Sequence, residues 1–264
     1  FSWMSLICIY QPMDKSISNN KKAFLYSVIT VVCTFILGGI IFVIAPEKSN
    51  TTASILFILL NLIPMIMAFI FTYQSKEVRG LWQFLEKVLC GEDRSIVWLF
   101  VLLVPVVYYG ISVVLGNVKF TGMALGAVIA YFPWTLFQGG LEEVGWRWYL
   151  QEHLQCKNFI LKMFVISIIW FVWHLPIYRL PWITAGSTNY LLFYLMILGN
   201  TFMLGAIKEF SKGAIPCVLA HMLIDSLAIV MLVKSTLVPL IILVAIEVII
   251  SLVAVYFLKD KSMK

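Results

Sequence analysis

The stretch GGLEEVGWRWYLQ, residues 139–151, sets Glu142, Glu143 and Arg147 into a run that is otherwise apolar. Placing a charge at the centre of a bilayer costs about 2.5–3.5 kcal/mol on insertion scales, so an ionisable group there is a functional candidate by default. The other ionisable residues well inside apolar runs are His174, His221, Asp225 and Glu247. Helical spacing sorts them. Glu143 and Arg147 stand four apart with the acid on the N-terminal side, the favourable order for a neutralising pair. Glu142 points about 100° away and has no local partner, which leaves it able to act as a base. His221 and Asp225, also four apart, share one helix face. A carboxylate, two imidazoles and a further polar group make the inventory for activating a water against an amide. A proton-coupled transporter would use similar residues, and the bland alternative for each is a polar contact holding helices together.

The elements that must position these residues follow from composition. The chain has 264 residues, 62% hydrophobic and 12% charged, with a mean hydropathy of +0.97. Soluble domains carry about 25% charged residues. The apolar runs are continuous over helix-length segments, whereas barrel strands would alternate, so the expected class is an all-α polytopic membrane bundle. Eight spans are expected, near 23–45, 52–73, 96–115, 123–150, 158–180, 189–207, 213–233 and 235–258. Between the second and third, Leu81, Phe84, Leu85 and Leu89 recur at helical spacing among charges, which predicts one amphipathic helix on the membrane surface within the connector 74–94. The scattered cysteines, Cys8, Cys33, Cys90, Cys156 and Cys217, offer neither a disulfide framework nor a structural zinc site. Met13 reads as a natural start and residues 1–12 as an extension before it, too short and too aromatic for a signal peptide.

Lys and Arg set the expected orientation. Of 19 basic residues, fifteen fall in the N-terminal tail, the even-numbered connections and the C-terminal tail; only Lys48, Lys119, Arg179 and Lys234 fall in the odd ones. That bias puts both termini in the cytoplasm, as an even number of spans requires. It also accounts for the net charge of +6 without a nucleic-acid partner. Pro176, two residues after His174, should kink or end the fifth helix. Counted from a hairpin tip near Cys156, Glu142 lies 14 residues before and His174 18 residues after. The difference of four residues is about 6 Å of depth, so the two can meet across an antiparallel pair.

EEVGWRWYL, IIWFVWHLPIY and LAHMLIDS together resemble the three motifs of the CPBP family, the CAAX-protease and bacteriocin-processing (Abi) group of intramembrane proteases. The pattern is EExxxR, an aromatic residue four before a histidine, and HxxxN. It falls here on Glu142, Glu143 and Arg147, on Trp170 and His174, and on His221 and Asp225, within a core at 120–233. Before that core lie a cytoplasmic tail, 1–22, and the N-terminal helices, 23–119; after it come the last helix and basic tail, 234–264.

The resemblance implies an intramembrane endopeptidase reached from the cytoplasmic side. Glu142 and His174 would activate water, His221 and the position of Asp225 would stabilise the oxyanion, and Glu143 and Arg147 would hold the helix. Three departures stand out: Trp170 where Phe is common, Trp148 where Gly is common, and Asp225 where Asn is usual. Asn donates to an oxyanion at any pH, whereas Asp does so only when protonated, which puts that role of Asp225 in question. No cofactor is expected; the alternative is zinc held by Glu142, His174 and His221, without an HExxH to pre-organise it. The expected partners are membrane lipid and a peptide or membrane-protein substrate. The composition suggests a bacterial plasma membrane. A non-catalytic scaffold or bacteriocin self-immunity protein is the second reading. A proton-coupled transporter is the third, and the repeated halves it would need are not visible.

Overall fold

The computed structural model describes residues 13–89, 91, 95–180, 182 and 189–258, the side chains of 13–17 and 258 excepted. Residues 1–12, the expected extension before Met13, and the charged ends Arg94, Lys259, Lys261 and Lys264 lie outside the described residues, as do Cys8 and Cys90.

The described chain is a bundle of α-helices: α1 (Met13–Ile44), α2 (Thr51–Gln74), α3 (Leu81–Leu89), α4 (Ser95–Val114), α5 (Gly126–Thr135), α6 (Phe159–His174), α7 (Tyr190–Phe210), α8 (Ile215–Leu227) and α9 (Leu237–Val253). Six described helices are long and apolar enough to cross a membrane, at Ser18–Ile44, Thr51–Gln74, Ser95–Val114, Phe159–Arg179, Tyr190–Phe210 and Leu237–Phe257. Their outer faces carry large exposed apolar side chains, such as Val32, Phe35 and Ile36 on α1 and Leu99, Leu102 and Val106 on α4. These suit lipid contact, and the chain is an integral membrane protein of the all-α kind.

The two remaining expected spans take another form. The fourth is broken into α5 and two π-helical stretches, Leu136–Gly140 and Val144–Gln151. The seventh is α8, 13 residues long. At 1.5 Å per residue that is about 20 Å, short of the roughly 30 Å hydrocarbon core. These two interrupted elements carry Glu142, Glu143, Arg147, His221 and Asp225.

Local sequence explains most helix ends. Asn50, Asn158 and Asn189 cap α2, α6 and α7, their side chains accepting from Ala53, Leu161 and the pair Leu191 and Leu192. Such a cap satisfies amides the helix leaves free. α6 stops at His174, as Pro176 predicts, and a 3-10 turn follows at Ile177–Arg179. The amphipathic helix is α3; it buries Phe84 and Val88 and leaves Leu81 and Leu89 exposed. Two short strands, β1 (Val118–Phe120) and β2 (Met231–Val233), pair antiparallel and tie the α4–α5 connection to the α8–α9 connection.

At the opposite end of the bundle Glu77 joins three elements. Its carboxylate takes Lys22 Nζ at 2.8 Å, Ser75 Oγ at 2.8 Å and His153 Nε2 at 3.4 Å. Burial alone would raise its pKa, but the hydrogen bonds from His153, Lys22 and Ser75 prevail and hold the carboxyl down, from 4.5 to about 2. A carboxylate depressed on folding stabilises above its unfolded pKa, and that stabilisation fades as pH falls towards the folded value. We therefore expect the melting temperature to fall between about pH 4.5 and pH 2. Glu77→Gln should flatten that slope, which differential scanning fluorimetry in detergent would read; an unchanged slope would show the clamp to be inert.

Candidate active site

The core under the site is aromatic. Trp146, Trp170, Trp173, Tyr26 and Tyr149 are among the largest fully buried side chains, and Arg147 is buried with them. Gly145 lets the EE-bearing segment lie against α1 and α2: a Cβ there would collide with the Tyr26 hydroxyl and come within 2.6 Å of Pro64 Cβ. Tyr26 OH donates to the Pro64 carbonyl at 3.0 Å. Beyond the site the segment is tied to α7, where Gln151 Nε2 donates to the Gly205 carbonyl at 2.9 Å. Glu142 and Glu143 sit on the short turn between the two π-helical stretches. Such stretches widen the turn and recur at functional sites.

The expected pair is present. Arg147 Nε donates to Glu143 Oε2 at 2.8 Å, with both side chains wholly buried. The other Glu143 oxygen meets His221 Nδ1 at 2.8 Å. Glu142 Oε1 lies 3.4 Å from the same nitrogen. Glu142 Oε2 is buried and has no hydrogen-bond partner among the described residues. Across the ring, His221 Nε2 stands 3.7 Å from Asp225 Oδ2. The glutamate pair thus backs His221 on one side, and the aspartate faces it on the other.

Gly139 and Gly140 permit this approach. A Cβ on Gly139 would collide with Asp225 Oδ2 and reach His221 Nε2 at 3.0 Å; one on Gly140 would reach Met222 Cγ at 2.8 Å. We expect Gly139→Ala to displace the imidazole and cut activity about a hundredfold, since misplacement of reacting groups by about 1 Å costs that much. Gly110→Ala is the control, because its Cβ meets nothing within 4 Å. Equal activity of the two variants would show that His221 tolerates the shift.

Trp170 links the motifs. Its ring lies 5.0 Å from the Arg147 guanidinium carbon, 5.4 Å from the His174 ring and 5.7 Å, edge to face, from the His221 ring. His174 Nδ1 donates to the Trp170 carbonyl of its own helix, 2.8 Å away. That carbonyl can only accept, so Nδ1 carries the proton and Nε2 is left for other work. No hydrogen bond joins Glu142 to His174 among the described residues. The carboxylate that matched depth was expected to bring to His174 is brought to His221 instead.

His174, His221, Asp225 and Trp170 line one cavity of about 230 Å³. Tyr108, Tyr109, Tyr178 and Asn200 share its wall and were not anticipated. Tyr109 OH donates to the Ile224 carbonyl at 2.7 Å, while Asn200 Oδ1 is buried with no hydrogen-bond partner among the described residues. A lone Asn within the apolar run ILGNTFML was the signal available for Asn200; tyrosines in such runs carry none. Glu247 is wholly buried on α9 against Gly199 of α7 and does not line the cavity.

Among the described residues the trio with converging ligand atoms is Glu142, Glu143 and His221, all within 4.8 Å of one another. It takes Glu143 where the expected zinc set has His174. Glu143 is already engaged by Arg147 and His221, and the guanidinium would repel a cation there.

A polytopic helical membrane protein with a buried glutamate–histidine cluster beside a cavity lined by two histidines is the class these features define. Residues 124–227 match the family model described as type II CAAX prenyl endopeptidase Rce1-like, which bears out the resemblance to CPBP-family intramembrane proteases. Every candidate from Glu142 to Asp225 falls within the match. No curated protein matches the chain.

Proposed function

We propose that the protein is an intramembrane endopeptidase that hydrolyses a peptide bond with a water activated by Glu142 together with His174. The observation that carries this reading is the Glu142 carboxylate, buried, with one oxygen lacking a hydrogen-bond partner among the described residues, and in contact with a histidine that lines the cavity. The Rce1-like match supports the endopeptidase part of this reading. Glu142 takes the proton of the attacking water. His174, with Nε2 free to accept, orients that water, and the protonated Glu142 then gives its proton to the leaving amine. His221 presents Nε2 to the oxyanion, held in place by Glu143 at its other nitrogen. A donor so fixed stabilises charge as it develops, without reorganising. Asp225, 3.7 Å from that nitrogen, orients His221 rather than binding the oxyanion itself.

The test is a peptide library incubated in detergent with purified protein and with Glu142→Gln. Cleavage by the parent alone, surviving a strong chelator, supports the reading. Stoichiometric zinc lost on changing Glu142, Glu143 or His221 would replace the metal-free version. Cleavage by neither protein would return the chain to the scaffold or self-immunity class.

A further inference from the structure

The cavity lies towards one end of the bundle. Leu204, Trp170 and His221 are the lining residues of α7, α6 and α8 that stand farthest along those helices from the α6–α7 and α8–α9 connections. From there the wall climbs α7 to Phe193, eleven residues away, or about 16 Å at helical rise. It climbs α8 through Asp225 to Ala228 and ends on Tyr178, Leu232, Val233 and Ser235. The last four belong to the α6–α7 and α8–α9 connections, and Leu232 is 37% exposed, so the cavity reaches the surface there. Those connections carry Arg179 and Lys234, and the neighbouring α4–α5 connection carries Lys119. They are the sparsely basic connections, which the positive-inside rule places outside the cytoplasm.

The mouth is also shaped for extended chain. The ladder uses Val230 and Lys234: Thr121 N–H donates to the Val230 carbonyl at 3.0 Å, and Lys234 N–H donates to the Asn117 carbonyl at 2.8 Å. In an antiparallel pair alternate residues bond the neighbouring strand. Val230, Leu232 and Lys234 therefore face β1, and the backbone groups of Met231 and Val233 form a second edge, unpaired among the described residues. An extended peptide can add to such an edge.

We infer that the cavity is entered from the extracytoplasmic face and receives an extended polypeptide segment that pairs with the outer edge of β2. This reverses the cytoplasmic access that the family resemblance implies. The occupant rests on the endopeptidase reading; the direction of entry does not.

Thiol labelling separates the two. Met196 lines the cavity, Lys234 stands at its mouth, and Lys157 sits at the far hairpin tip. Met196→Cys, Lys234→Cys and Lys157→Cys are each compared with the parent chain in right-side-out and inverted vesicles, using a small membrane-impermeant charged thiol reagent. The expected result is added labelling of Met196→Cys and Lys234→Cys from outside only, and of Lys157→Cys from inside only. Labelling of Met196→Cys from the inside, or from neither side, overturns the entry route even if proteolysis is real. Labelling of Lys157→Cys from outside overturns the orientation. For the occupant, Val233→Pro removes one edge N–H while leaving the β1 pairing intact. Its KM for a cleaved library peptide should rise about five- to tenfold, the worth of one hydrogen bond, with kcat kept. An unchanged KM overturns strand pairing, and the absence of any cleavage overturns the polypeptide occupant while leaving the labelling result to stand.

Discussion

Glu142→Gln should fold as the parent does and lose nearly all turnover, by at least about a hundredfold to ten-thousandfold, the usual contribution of a positioned general base. The amide keeps the size of the carboxyl and can still sit 3.4 Å from His221 Nδ1, so packing gives no reason for the loss. What disappears is the basic oxygen, the buried Oε2 that no described residue engages. His174→Ala should cost a comparable amount. If the two serve one water, the double change adds little to either single one, because residues that act as a unit are non-additive. Additive losses would mean that Glu142 works through His221, its actual contact, and that His174 acts separately. Full activity in Glu142→Gln would sink the assignment altogether. Single-turnover rates with one peptide cleaved by the parent read all four proteins.

The residues of the site were legible one motif at a time, and their assembly was not. Glu143 and Arg147 pair as the four-residue spacing predicts, although the backbone there is π-helical from Val144. The long Arg side chain absorbs the altered turn. Pro176 ends α6 because a proline excludes the helical register, a strictly local effect. The link from Glu143 to His221 spans 78 residues and depends on how α8 packs against Gly139 and Gly140. Counting depth along a hairpin can compare two of its own arms, but it says nothing about a third helix entering between them. Hydropathy also reads through breaks in hydrogen bonding, so 123–150 and 213–233 look like whole spans. The chain instead breaks the first into α5 and π turns and ends α8 early to make β2. The cavity could not be read from spacing for the same reason: its wall combines α4, α6, α7, α8 and β2.

Arg147→Leu should lower the yield of folded protein and destabilise it by about 3–5 kcal/mol, the cost of stranding one member of a buried ion pair. Both partners are wholly buried, so no solvent screens the carboxylate that remains. The change also removes the guanidinium stacked 5.0 Å from the Trp170 ring, an attraction worth about 2 kcal/mol when desolvated. Trp170 in turn touches His174 and His221, so loss of the stack should loosen both imidazoles. Arg147→Lys should fall between parent and Leu, because an ammonium keeps the charge but not the planar stack. The decisive variant combines Arg147→Leu with Glu143→Gln. Removing the stranded charge should restore much of the folded yield, measured by size-exclusion chromatography in detergent, while activity stays low because His221 has lost the carboxylate 2.8 Å from its Nδ1. If Arg147→Leu alone folds like the parent yet is inert, the arginine belongs to the chemistry and the Glu143 pair is not what holds this segment.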